Sequence, residues 1–189
     1  DVLAHQRVRR IERDVAQVLR VAVVGHAQAV RVIGVEHRRV LGDLDHDGVV
    51  SEAVERAARM LGATKPATAR VPVLLDPVAA SSFLGVLSDG LSAEAVQKQR
   101  SLFGPLVGEQ VASDVLTVVD DGRLLDGPGA APFDGEGVPT GRTELLSSGV
   151  LNGFLHNTYT ARRGDTRSTG NAVRGYRSTP GVGTTNLFV

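Results

Sequence analysis

Residues 142–156 read Arg-Thr-Glu-Leu-Leu-Ser-Ser-Gly-Val-Leu-Asn-Gly-Phe-Leu-His. The pattern predicts two strands, Arg142 to Leu146 and Val150 to His156, joined by a hairpin at Ser147-Ser148-Gly149. Working upstream, the β-branched run Val115 to Val119 predicts another strand, closed by an Asp120-Asp121-Gly122 turn. Between them, residues 121–141 form a long loop rich in Gly, Pro and Asp, a length usually reserved for functional or disordered segments. Downstream, Thr158 to Arg163 predicts one helical turn. Residues 164–185 are again rich in Gly, Ser, Thr and Arg, and Asn186 to Val189 reads as the beginning of a strand.

The segment preceding this β-rich part is helical in pattern. Ser51 to Leu61 predicts a helix capped by Ser51, with Val54, Ala57, Ala58 and Leu61 as its apolar stripe and Gly62 as its stop. Ala63 to Arg70 reads as a linker, and Val71 to Asp76 as a short buried strand ending at Asp76-Pro77. Val78 to Leu91 predicts a helix with Phe83, Leu84, Leu87 and Leu91 inward. Ser92 then caps a second helix through about Gln99, on which Ala95 and Val96 are apolar. Helices followed by strands define an α+β class. Three segments result: an unassigned leader over 1–46, a helix and linker over 47–69 that end a preceding domain, and a β-rich domain over 70–189.

The leader is the least regular part. Arg7 to Leu19 has helical spacing, and Val21 to Val24 and Val30 to Val35 have strand character. It holds four of the five histidines, His5, His26, His37 and His46, at spacings that match no known ligand pair. Asp43, Asp45 and Asp47, followed by Gly48, resemble the start of an EF-hand loop. The twelfth position, which needs a bidentate carboxylate, is Val54, so the cluster reads instead as a loop and helix start.

Composition excludes several classes. The 189 residues carry 21 basic and 21 acidic side chains, for zero net charge, which disfavours a nucleic acid or a membrane surface as partner. No cysteine is present, so disulfides, thiol nucleophiles and thiolate metal sites are impossible within the chain. No apolar run approaches the ~20 residues of a membrane helix, and no signal peptide is visible; the expected location is cytoplasmic.

Candidate chemistry concentrates in the long loop, at Pro132-Phe133-Asp134-Gly135-Glu136-Gly137-Val138-Pro139. Asp134 and Glu136 have the types of an acid–base pair. They equally suit a tight loop in which carboxylates accept backbone N–H bonds and glycines take positive φ. His156 lacks a partner motif, and Ser81-Ser82 and Ser147-Ser148 lack the context of a nucleophile elbow. Arg162, Arg163, Arg167, Arg174 and Arg177 form a basic cluster with few aromatics among them, Tyr159 and Tyr176.

From Asp47 to Val189 the chain resembles the TldD/PmbA family, once called modulators of DNA gyrase. The resemblance is carried by Val73-Leu74-Leu75-Asp76-Pro77, Leu91-Ser92-Ala93-Glu94-Ala95-Val96-Gln97-Lys98, Gly108-Glu109-Gln110-Val111-Ala112-Ser113 and Leu116-Thr117-Val118-Val119-Asp120-Asp121. It continues through Pro132 to Thr140, Gly149-Val150-Leu151, Ser168-Thr169-Gly170-Asn171 and Thr185-Asn186-Leu187. The resemblance implies a mixed α+β, β-rich C-terminal domain preceded by helices. It further implies a cytosolic TldD–TldE heterodimer that acts as a zinc metallopeptidase on unfolded peptides. In the TldD type, a His-Glu-x-x-x-His helix binds the zinc. Aligned without gaps on Gly108-Glu109-Gln110-Val111, that hexapeptide falls at Leu84-Gly85-Val86-Leu87-Ser88-Asp89.

The chain therefore resembles the metal-free PmbA/TldE type: no catalytic residue and no cofactor of its own, with zinc expected in a TldD-type partner. Asp134, Glu136, Gly137 and Asn171 are the residues expected near substrate. The other readings are a non-catalytic binding module, gyrase-modulator-like or calcium-binding, and a metal-free enzyme using Asp134 and Glu136. Residues 1–42 match nothing in the family, and the Val/Arg/His bias there is the kind a misread frame in a GC-rich gene would give. The family's last domain continues past Asn186-Leu187, so a truncated chain with exposed sheet edges and poor solubility is expected.

Overall fold

The computed structural model describes residues 23–27, 30–34 and 45–189. The expected helix over Arg7–Leu19, together with His5, His37 and Asp43, lies outside them. The chain divides into two compact units, one ending at Pro72 and one running from Val73 to Val189.

In the first unit, β1 (Val23–Ala27) and β2 (Val30–Gly34) pair antiparallel, and α1 (His46–Arg59) lies beside them. α1 starts earlier than the Ser51 cap predicts. Asp45 is the N-cap, and its carboxylate accepts the Gly48 N–H at 2.9 Å. The shift turns the helix about its axis. The buried stripe is Val49, Ala53 and Ala57, spaced by four, while Val54, Ala58 and Leu61 are exposed. Arg56 and Arg59 pair with Glu52 and Glu55 one turn earlier on the outer face.

The second unit begins with a correction. Val71 to Asp76 belongs to no strand among the described residues, and Val71, Val73, Leu74 and Leu75 are exposed. An apolar run forms a buried strand only where a neighbour supplies its ladder, and none of the described strands does. Asp76 then caps α2 (Pro77–Gly90), its carboxylate accepting the Val78 N–H at 3.0 Å with Pro77 in the first turn. Leu87 packs against the core and Leu91 is fully buried, as expected, but Phe83 faces outward. Ser92 caps the short α3 (Ala93–Gln97), and a 3-10 turn follows at Gly104–Leu106.

The sheet is β5-β4-β3-β8, antiparallel throughout. β3 is Val118–Asp121, so Asp120 and Asp121 lie in the strand rather than in the predicted turn. β4 (Arg142–Ser147) and β5 (Val150–Leu151) form the expected hairpin, although β5 is much shorter than Val150 to His156. Ser148 and Gly149 both have positive φ, 47° and 78°, which is the type I′ geometry matched to strand twist. Gly149 donates to the Leu116 carbonyl and accepts from Val111 and Ala112, so neighbouring backbone encloses it. A bulge in β4 places Leu145 between the Val118–Leu146 and Val119–Glu144 pairs, and both leucines are buried. With Leu91, Val118, Leu151 and Leu155 they make the core.

α4 (Thr158–Arg163), the β6 (Ala172–Val173) and β7 (Gly181–Val182) hairpin, and β8 (Leu187–Phe188) complete the unit. Helices precede a β-rich half, so the class is α+β.

Candidate functional site

The long loop is built on one carboxylate. Asp134 accepts the Glu136 and Val138 N–H groups on Oδ1 and the Ala172 N–H on Oδ2, each at 2.9 Å. The Asp134 N–H donates to the Val138 carbonyl, and the Gly135 N–H to the Ala172 carbonyl. Gly137, at φ 81°, lets the chain reverse inside this cage. Glu136 reaches the other way: its carboxylate accepts the Thr158 N–H and hydroxyl, both at 2.8 Å, at the start of α4. A negative charge is favourable there, because the first N–H groups of a helix have no internal partner. An acid or base needs an oxygen turned to its substrate, and both oxygens of each carboxylate are engaged within the protein.

Asn171 is next to Ala172 in the chain, but its side chain serves a second network. Its Nδ2 donates to Asp120 Oδ2 at 2.7 Å and to the Gly183 carbonyl, and its Oδ1 accepts from the Thr169 hydroxyl at 2.7 Å. Asp120, almost completely buried, also accepts the Thr185 N–H and hydroxyl, both at 2.8 Å. A buried carboxylate without a cation is tolerated only when hydrogen bonds replace its water. Asn186 completes the arrangement, donating to the Asp121 carbonyl and accepting from Gly129. Asp120 and Thr185 were invisible as a pair in the sequence. Asp-Asp-Gly carries a turn signature, and the partners are 65 residues apart.

The second feature is a cleft of ≈ 400 Å³ lined by Ser88 and Asp89 at the end of α2, by Glu94, Lys98 and Arg100, and by the 182–184 segment. Glu94 is ion-paired with Lys98. That hydrogen bond holds its carboxyl below the usual range, with the Val182 N–H and the Arg100 charge helping and burial opposing. Val182 and Thr184 stand two apart on an extended segment, so their peptide groups face one side, away from the Gly183–Asn171 bond that ties the segment to β6. No sequence signal marks this cleft, because three separate segments assemble it.

The hexapeptide expected to align with a zinc helix lies in α2 and does not suit zinc. Leu84, Gly85 and Val86 offer no donor, Leu87 packs on the core, and the Ser88 hydroxyl donates to the Gly85 carbonyl. Among the described residues no three His, Asp or Glu side chains are grouped as a metal site. His156 stands alone: its Nδ1 is buried without a hydrogen bond to the protein. Burial pushes its pKa down, and the Thr160 backbone partly opposes this.

Residues 68–189 match the family described as the PmbA/TldA metallopeptidase C-terminal domain. The metalloprotease TldD homolog of Haemophilus influenzae is 32% identical over 154 residues, covering 78% of this chain and 31% of that protein. The metalloprotease PmbA of Escherichia coli O157:H7 is 30% identical over 135 residues, covering 71% and 30%. The crystal structure of TldE from Thermococcus kodakarensis superposes with a TM-score of 0.76 at 29% identity, covering 88% of this chain and 39% of that one. The chain thus spans about a third of the length of the proteins it matches. No helix of the described residues is long and apolar enough to cross a membrane.

Proposed function

Because the chain belongs to the PmbA/TldD metallopeptidase family through its C-terminal domain, we propose that it serves as the PmbA/TldE-type subunit of a zinc-dependent peptidase complex. In this reading it binds no metal itself, works in the cytoplasm, and helps hold an unfolded peptide for a TldD-type partner that carries the zinc. The observation that carries the reading is the donor-free stretch from Leu84 to Leu87 on α2, beside a cleft edged by extended backbone at 182–184. A zinc peptidase needs three ligands and an activated water, and that helix supplies neither. An extended peptide can instead add to a strand edge through main-chain hydrogen bonds. Asp134, Glu136, Gly137 and Asn171 then act as the frame that fixes α4, β6 and the 182–184 edge, rather than as reacting groups.

The test mixes this chain with a TldD-type protein and follows cleavage of an unfolded peptide with and without a zinc chelator. The expected result is chelator-sensitive cleavage that requires the partner and is stimulated by this chain. Cleavage by this chain alone overturns the reading, and so does the absence of any complex, which would favour an independent binding module.

A further inference from the structure

We propose that the basic, aromatic surface carried by α4 and the β6–β7 hairpin binds acidic stretches of unfolded polypeptide. The proposal names the chemistry of the peptide, and it rests on the reading above only for the claim that the ligand is unfolded. Between Thr158 and Ser178 the chain carries five arginines, Arg162, Arg163, Arg167, Arg174 and Arg177, against one carboxylate, Asp165. All five arginines are exposed. The ion pairs of the described residues use Arg56, Arg59, Lys98 and Arg142, and none of these five. Five solvent-facing guanidiniums in a chain of zero net charge are a local excess that nothing in the described protein offsets.

Two of them are organised by exposed rings. The Arg163 guanidinium lies 5.8 Å from the Tyr159 ring centre and donates to its hydroxyl at 3.1 Å, and Arg177 lies 5.0 Å from the Tyr176 ring. Stacking keeps a guanidinium flat and leaves its N–H fork free for a carboxylate. Tyrosine with arginine is also the side-chain pair that most often anchors protein contacts.

The two segments stand on one support. Glu136 holds the start of α4, Asp134 and Gly135 hold Ala172 of β6, the Asn157 side chain donates to the Pro180 carbonyl, and the stem of Arg174 lies against Gly135. The surface is therefore preorganised, which lowers the ordering cost of binding. An acidic peptide suits it better than a nucleic acid does. Residues 109–136 carry seven carboxylates and one arginine, a region that opposes a long polyanion but leaves a short acidic segment undisturbed.

The test measures fluorescence anisotropy of a labelled Asp-Ser repeat peptide on the full chain, beside a Gly-Ser peptide of equal length and oligothymidylate. Two charge-reversed chains are compared: Arg162→Glu with Arg163→Glu, and Arg174→Glu with Arg177→Glu. We expect the Asp-Ser peptide to bind at low salt and to weaken as salt rises, with affinity falling about tenfold or more in each reversed chain. The Gly-Ser peptide should not bind. Equal binding of the two peptides, unchanged affinity in both reversed chains, tighter binding of oligothymidylate, or self-association of the chain through this surface would each overturn the proposal. If the salt-dependent binding stands while the TldD-type partner is not stimulated, the functional reading falls alone. If stimulation stands and the reversed chains bind and process acidic and neutral peptides alike, this proposal falls alone.

Discussion

Asp134 has three backbone N–H groups on two oxygens, and that geometry makes its charge more important than its size. Asn at this position places an NH2 where an oxygen accepted, so at least one N–H loses its partner. We expect Asp134→Asn to lower the unfolding free energy by about 2–3 kcal/mol in urea titration. His156 gives a pH signature. Its folded pKa lies below the ordinary value of 6.5, so the unfolded chain takes up the proton more readily. Its contribution to stability is complete above that ordinary value and is lost as pH falls through it toward the folded pKa. The urea midpoint should therefore drop between roughly pH 7.5 and 5.5 more steeply in the parent chain than in His156→Gln. Asp134 was legible as a loop residue because Asx turns are local. Asp120 was not, because its role depends on Asn171 and Thr185, which no spacing rule connects to it.

At the scale of elements, the β4–β5 hairpin was legible because a two-residue turn writes its geometry into Ser148-Gly149. A methyl on Gly149 meets the Ala112 and Ser113 carbonyls in addition to the positive φ. Gly149→Ala should destabilise the protein by about 1–3 kcal/mol, read from its thermal midpoint. α1 was harder, because Asp45 and Ser51 are both good caps and only packing of Val49 and Ala53 decides between them. The two caps are separable by experiment. Asp45→Ala should cost about 1 kcal/mol and Ser51→Ala less than about 0.5 kcal/mol in the same urea assay. The apolar run at 71–75 misled in the opposite way. Composition marks it as a strand, but a strand is a property of two segments, and no described strand pairs with it.

At the scale of the whole molecule, that run leaves Val71, Val73 and a fully exposed Leu74 at the surface. Exposed apolar backbone of this kind invites association. Leu74→Asp should raise soluble yield while changing unfolding free energy by less than about 0.5 kcal/mol, a combination that separates surface association from core stability. The family relationship was legible here because its short motifs are dispersed along the second unit, whereas the cleft and the basic surface required the fold to bring segments together. The Asp120–Thr185 and Asp121–Asn186 bonds also span 65 residues, and this has a kinetic consequence. β3 receives its β8 neighbour only after a long loop has closed, and the entropy of that closure is lost before Asp120 finds its donors. The timing of folding in this unit is thus set by the meeting of two distant strands. Its last native signal to appear in a refolding experiment should be protection of the Thr185 amide.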